Sequence, residues 1–404
     1  MNKTITLYEY DKLTTSHDHF DEVKMKALLK INELHGGKYL DGLSNGVRFK
    51  QYVGVIQVDG LTIEILPKAD QDEGHPKWRN VLIKMLQKTG NLKVSTAGAA
   101  HVNRQNLNLL EIYFELFLNE IISLQRIGLI KKYRKESKNI MALKGKLEFA
   151  GQIRHNLIHK ERFYTTHQIY DQDHKLHQIL FVALEIVQLF TNGTRLSDLC
   201  NRVLFHFPEV MRIKVNEQLL STVILNRKSN KYRYAMELAR LIILNYSPAI
   251  SQGKNRMLAI LFDMNNLWEK YILTELRKIQ ETHGLIIGGQ EQKYIWESNY
   301  LKPDIVISKG SVKYLIDTKW KRPGNSPSSV DIRQMYAYAR FWNAERVMLL
   351  YPGVEKTEFK SFLNTDNDGL HQCKMGFVSV LNGKQLSDDV GVDVLKAIGL
   401  LDSK

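Results

Sequence analysis

Cysteine is nearly absent: the 404 residues hold only Cys200 and Cys373, far apart in the chain. That excludes a disulfide framework and a thiolate metal site, and it fits a reducing cytoplasm. Long apolar runs are missing too. The opening "MNKTITLYEYDKL" lacks the apolar stretch of a signal peptide, and "LIILNY" is too short and too close to Arg240 to cross a bilayer. A soluble, cytoplasmic chain with no membrane contact is expected. There is no Gly-x-x-x-x-Gly-Lys-Ser/Thr loop, since "SQGKNRM" and "LKGKLEF" lack the upstream glycine and the hydroxyl. The chain is therefore not expected to bind or hydrolyse a nucleotide itself. His155 and His159 are four apart and His174 and His177 three apart, yet neither cysteine nor a His-Glu-x-x-His arrangement joins them, so ordinary surface or core histidines are the expectation. No long repeat or low-complexity linker interrupts the sequence; the most loop-like stretch is "KRPGNSPSS", residues 321–329.

What is present is charge and a core. Lys and Arg number 57 against 43 Asp and Glu, a formal charge of +14, while 44% of residues are hydrophobic. A folded protein with an anionic partner is implied. The length suits two or three domains. Residues 1–95 read as β-rich after a helix over Asp21–Leu34, with turns at Asn45-Gly46 and Asp59-Gly60, a candidate partner-contact module. Residues 96–250 read as a helical scaffold, with Leu110, Phe114, Phe117 and Ile121 on one stripe. Within it, Lys131 to Arg162 is rich in cations interleaved with Tyr133 and Phe149, either a solvated face or a DNA-backbone surface.

Residues 251–404 carry the chemistry. In "YLKPDIVISKGSVKYLIDTKWKRP", Ile305–Ser308 and Val312–Trp320 read as strands about Gly310, which brings Asp304 beside Asp317. Alternation along the second strand sends Leu315, Asp317 and Lys319 to one face. Two adjacent carboxylates repel and are costly to desolvate. A hard divalent cation compensates: Mg²⁺, replaceable by Mn²⁺, would take Asp304, Asp317 and the Thr318 carbonyl. Lys319 is expected to balance charge and to orient or deprotonate the attacking water. The plainer reading is a structural Asp/Lys ion pair at a sheet edge. Upstream, "LFDMNNLWEKYILTELRKI" reads as an amphipathic helix with Leu261, Trp268, Ile272 and Leu276 inward and Glu269 beside them, either a further acidic ligand or a solvated glutamate. Downstream, a helix sets Gln334 and Tyr338 four apart on one face, and two strands follow.

Helix, strand, Pro-Asp hairpin with Asp-x-Lys, helix, strand, strand resembles the PD-(D/E)xK nuclease superfamily, restriction-endonuclease-like in fold. More closely, "VGVIQVDGLTIEILPK", "LKGKLEF", "LFDMNNLWEKYI" and "PDIVI…LIDTKWK" together resemble the McrC family of McrBC-type modification-dependent restriction systems. The resemblance implies an α+β multidomain chain ending in a PD-(D/E)xK α/β domain and metal-dependent endonuclease activity. It implies Asp304, Asp317 and Lys319 as catalytic positions, with Glu269 and Gln334 in support. It also implies a McrB-like AAA+ GTPase partner, stimulated through the N-terminal part of the chain, and double-stranded DNA carrying modified cytosine as substrate, in antiviral defence. A stand-alone repair or recombination nuclease and a non-catalytic, motor-activating subunit are the alternatives. With activation and cutting at opposite ends, a chain ending near Ser251 is expected to stay soluble and to stimulate the GTPase.

Overall fold

The structure, a computed structural model, describes residues 3–68, 75–92, 108–247, 256–324, 326–363, 371–382 and 385–402. It forms two compact units. One is Leu110–Ile260; in the other, Asn2–Leu109 packs with Leu261–Lys404. None of the helices among the described residues is long and apolar enough to cross a membrane.

In the first unit, helices Leu109–Ile127, Lys175–Thr191 and Arg233–Leu244 are driven together by apolar residues at helical spacing. Tyr113, Phe117, Ile121, Leu180, Leu184 and Ile242 are fully buried. The middle region is not helical throughout. Lys132–Ile140 and Phe163–Asp171 form a long antiparallel hairpin, extended by Lys146–Leu147, with a short helix Phe149–Asn156 between them. Because "KYRKESKNI" carries polar side chains to both faces, it lacks the one-sided apolar alternation by which a strand is recognised.

In the second unit, Tyr52–Val58 and Leu61–Leu66 pair antiparallel, and Lys3–Tyr8 adds in parallel. Asp59 and Gly60 have φ of 44° and 77°, as a tight turn with two left-handed residues requires. The neighbouring turn is displaced by one residue from expectation. Leu43 pairs with Gly46, so Ser44-Asn45 make the turn. Gly46 is needed for another reason: a Cβ there would lie 2.3 Å from the Leu13 carbonyl oxygen of the adjoining strand. A helix, His75–Lys88, appears where only β structure was expected. Its buried Trp78, Val81, Leu82, Met85 and Leu86 follow the 3.6-residue period.

The C-terminal part of this unit is a six-stranded mixed sheet in the order Ile286–Gly289, Ile305–Lys309, Val312–Thr318, Ala344–Pro352, Gln372–Val378, Lys360–Ser361. The second and third strands form the expected hairpin, turning at Gly310 with φ of 61°. Val312–Thr318, Ala344–Pro352 and Gln372–Val378 run parallel. Helix Ser329–Trp342 buries Met335, Tyr338, Ala339 and Trp342 against Val306, Leu315, Val347 and Leu349. Helix Met264–Ile279 begins later than expected, because Asp263 caps it by accepting from the amides of Asn265 and Asn266. Leu261 accordingly lies in the strand Met257–Asp263, not on the helix.

Candidate active site

The register Ile305↔Ile316 sets Asp304 opposite Asp317 at the open end of the hairpin. Asp304 is pinned from the next strand. Its Oδ2 accepts from the Thr318 amide at 2.6 Å and from the Thr318 hydroxyl at 2.8 Å. Burial raises its carboxyl above the ordinary range even against those donors. Asp317 is buried more deeply, and burial together with the Asp304 charge raises it as well. Lys319 Nζ stands 2.7 Å from Asp317 Oδ2 and 3.7 Å from Asp331 Oδ1. Burial by itself would lower the Lys319 ammonium, but Asp317, Asp331 and Asp304 together outweigh it and hold the group protonated. The strand end itself is fixed by the Lys319 amide on the Leu350 carbonyl, 2.8 Å.

Helix Ser329–Trp342 closes one side. Gln334 Nε2 donates to Asp317 Oδ1 at 3.3 Å and to the Tyr338 hydroxyl at 2.6 Å, and that hydroxyl donates to the Lys302 carbonyl. The four-residue spacing of Gln334 and Tyr338 thus forms a relay from the Asp317 carboxylate to the chain just before Asp304. Glu269, far from solvated, is buried. Burial first, then Asp304, raises its carboxyl, and its Oε1 accepts from Gln290 Nε2 at 2.6 Å.

Two members of this network were not anticipated. Gln290 has φ of 55°, and its amide donates to the Asp304 carbonyl at 2.9 Å, so it joins Glu269 to Asp304. The available signal was "GGQ" directly after a short apolar strand. Asp331 pairs with Lys319 and, at 3.5 Å, with Lys321. It occupies the first turn of its helix, where an acid is ordinarily read as serving only the helix dipole.

Asp317 Oδ2 is buried with the Lys319 ammonium 2.7 Å away as its partner. Two buried carboxyls, both raised and facing each other across the hairpin, are a donor pair that suits a hard divalent cation. Among the described residues no three His, Cys, Asp or Glu side chains converge on one point. Two carboxylates with a backbone carbonyl are the kind of donor set Mg²⁺ uses when it keeps most of its water.

The histidine pairs have other occupations. His174 Nε2 meets the Ile130 carbonyl at 3.0 Å, and His177 meets the Gln172 carbonyl at 2.7 Å and the Tyr232 hydroxyl at 3.0 Å. His155 stacks on Tyr164, while His159 lies past the helix end and contacts Glu161. In the basic hairpin, Arg134 is engaged by Asp171 and Glu136.

The family described as "McrBC 5-methylcytosine restriction system component" matches residues 47–352. A chain of the refined half-complex from a tetradecameric assembly of Thermococcus gammatolerans McrB AAA+ hexamers with bound McrC is similar in structure. Its TM-score is 0.68 at 21% identity, over 93% of this chain and 95% of that one. A chain of the Thermococcus gammatolerans McrBC complex gives 0.52 at 23% identity, over 68% of this chain and 88% of that one. Identities this low speak to the fold alone. No curated protein sequence matches the chain.

Proposed function

The chain belongs to the McrBC 5-methylcytosine restriction system component family, and from that premise we propose that it is the DNA-cutting member of such a system. It is a Mg²⁺-dependent endonuclease acting on DNA that carries modified cytosine, beside an AAA+ GTPase. The observation that carries the reading is the Asp304–Asp317 pair with Lys319 against it, on the sheet end a restriction-endonuclease-like fold would use. One of the similar solved assemblies contains McrB AAA+ hexamers, and the present sequence has no phosphate loop. Nucleotide turnover is accordingly the partner's task.

Asp304, Asp317 and the Thr318 carbonyl would hold the cation, with Glu269 nearby as a further acid. When bound, it supplies a Lewis acid and an activated water for attack on phosphorus. The protein's own residues do the rest. Thr318 fixes one carboxylate oxygen of Asp304, and Gln334 fixes one of Asp317. Lys319, kept protonated, offers Nζ–H to the phosphate oxygen on which charge accumulates as the P–O bond to the leaving oxygen breaks.

The partner is proposed to dock on the first unit. There Phe149, Ile153 and Leu157, four residues apart on and just past one short helix, are exposed together with Met141, Leu143 and Ile158. Exposed apolar side chains so dense in one segment, with exposed Lys144, Lys146 and Lys160 among them in sequence, mark a protein interface more than a phosphate track. The turns at Ser44-Asn45 and Asp59-Gly60 stay as further candidate contacts.

The test replaces Asp304 or Asp317 by Asn in the full-length chain assembled with its GTPase. Cleavage of methylated DNA in Mg²⁺ is expected to fall by about 10²–10³-fold or more, with GTP turnover still stimulated. Cutting at the wild-type rate by either variant would remove the site from consideration.

A further inference from the structure

Between Gly289, the last residue of the edge strand, and Asp304 the chain leaves the sheet as a separate hairpin, Lys293–Trp296 paired with Asn299–Leu301. It departs from the end of the sheet where Asp304 and Asp317 sit, because Gly289 pairs with Ile305. Both its roots are tied to the site. On one side Gln290 bonds Glu269 and the Asp304 carbonyl; on the other the Lys302 carbonyl accepts from Tyr338. The base is steadied by Lys293, whose Nζ donates to the Phe341 carbonyl at 2.7 Å and lies over the Trp342 ring.

The rest of the hairpin is aromatic and bare. Tyr294 is 68% exposed, Trp296 70% and Tyr300 48%, with Ile295 beside them. Tyr294 and Tyr300 face each other across the two strands, edge to face at 6.1 Å. A lone two-stranded hairpin has little stability of its own, so three large rings kept in water are a burden unless something covers them. A bulge at Tyr294/Trp296 and a left-handed Glu297, φ 44°, turn the tip. The tip is also not basic, for Glu297 stands on it. Such a tip is poorly made for following phosphates and well made for presenting flat rings to flat partners.

We propose that this hairpin is a DNA-contacting wedge whose rings stack on, or part, the bases beside the phosphodiester held at Asp304 and Asp317. This rests on the nuclease reading above. A two-stranded ribbon fits a DNA groove. Inserted apolar side chains unstack base steps, and rings stack on bases without regard to their identity. At about 3.3 Å per residue, Trp296 lies no more than roughly 20 Å along the chain from Gln290, which is within about six base pairs at roughly 3.4 Å each. The wedge thus reads the same stretch of duplex that is cut, and it supplies affinity that is independent of the basic surface.

The experiment uses the full-length chain and a duplex carrying 2-aminopurine at successive positions, in Ca²⁺ so that the DNA stays whole. Replacing Tyr294, Trp296 and Tyr300 by Ser is expected to weaken binding by roughly 5- to 100-fold per stacked ring. The salt dependence of binding should not change, and the 2-aminopurine fluorescence rise seen with the wild type should disappear. The Phe variants at the same positions should restore both. Unchanged affinity and fluorescence in the Ser variant overturns the wedge. So does sedimentation showing that the wild type self-associates through these rings and the variant does not. Failure of the nuclease reading is seen separately: Asp317→Asn would then cut normally, whatever the hairpin variants do to binding.

Discussion

Trp320 Nε1 donates to Glu9 Oε1 at 2.6 Å across 311 positions of sequence. Trp320 directly follows Lys319, and its ring lies 5.3 Å from that of Trp268, the neighbour of Glu269. One buried carboxylate at the end of an N-terminal strand therefore holds the chain that carries two of the candidate catalytic groups. Glu9 Oε1 also accepts from the Lys68 amide at 3.0 Å, while Oε2 is buried without a donor.

Burial pushes the Glu9 carboxyl up to about 7, against the donors Trp320 and Lys68. In the unfolded chain it ionises near 4.5, so the contribution of Glu9 is complete below that value and is lost as pH rises to about 7. The loss is at most ~3 kcal/mol. Glu9→Gln keeps an acceptor for Trp320 and removes the ionisation. Urea melts followed by tryptophan fluorescence should show the variant gaining on the wild type between pH 5 and pH 8. Equal pH dependence of the two proteins would refute this.

Asp317→Asn should raise stability without metal. Burial and Asp304 make the ionised form costly, so above its raised pKa the folded wild type bears a strain that the amide lacks, partly offset because Lys319 loses its partner. In EDTA at pH 8 a rise in Tm of roughly 2–4 °C is expected. Added Mg²⁺ should then raise the Tm of the wild type and leave the variant where it was. A wild type indifferent to Mg²⁺ would argue for a purely structural ion pair.

The hairpin of Asp304 and Asp317 was legible because its determinants are local: a glycine for the turn, alternation along each strand, and three charged residues where apolar ones belong. Gln334 and Tyr338 were legible from helical spacing. What could not be read was the pairing of Glu9 with Trp320 and of Glu269 with Gln290, since nothing in a sequence says which distant polar residue meets a buried one. The strands over 132–171 escaped because both their faces are polar, and the turn at Ser44-Asn45 because its glycine answers to a neighbouring strand and not to a left-handed φ.

That polar hairpin gives a third prediction. Lys135 and Lys138 are exposed, but Arg134 is held by Asp171 and Glu136, and the apolar group around Phe149 lies in the same segment. Reversing Lys131, Lys135 and Lys138 to Glu should leave the salt dependence of DNA binding unchanged. Phe149, Ile153 and Leu157 replaced together by Ser should abolish co-sedimentation with the AAA+ partner while the melting curve stays the same. A flattened salt dependence in the lysine variant would return the segment to DNA.

The last prediction reverses the one drawn from linear order, that a chain ending near Ser251, a position outside the described residues, would stay soluble and stimulate the GTPase. Residues 2–109 share a unit with residues 261–404. The Met264 amide donates to the Gln51 carbonyl at 2.9 Å, and Lys88 pairs with Glu275 at 3.2 Å and with Asp388 at 3.0 Å. Trp320 covers Glu9. Cutting the chain at 251 removes all of these partners at once and leaves Glu9 and the apolar face of helix His75–Lys88 in water. The truncated chain is expected to be cleaved rapidly by trypsin within residues 1–109 and to aggregate, while Leu110 to Ser247 resists. Activation and cutting are separable only by substitutions that leave the unit whole, such as Asp317→Asn. Limited proteolysis of the truncated and full-length chains decides the matter, and protection of residues 3–68 in the truncated chain would restore the linear division.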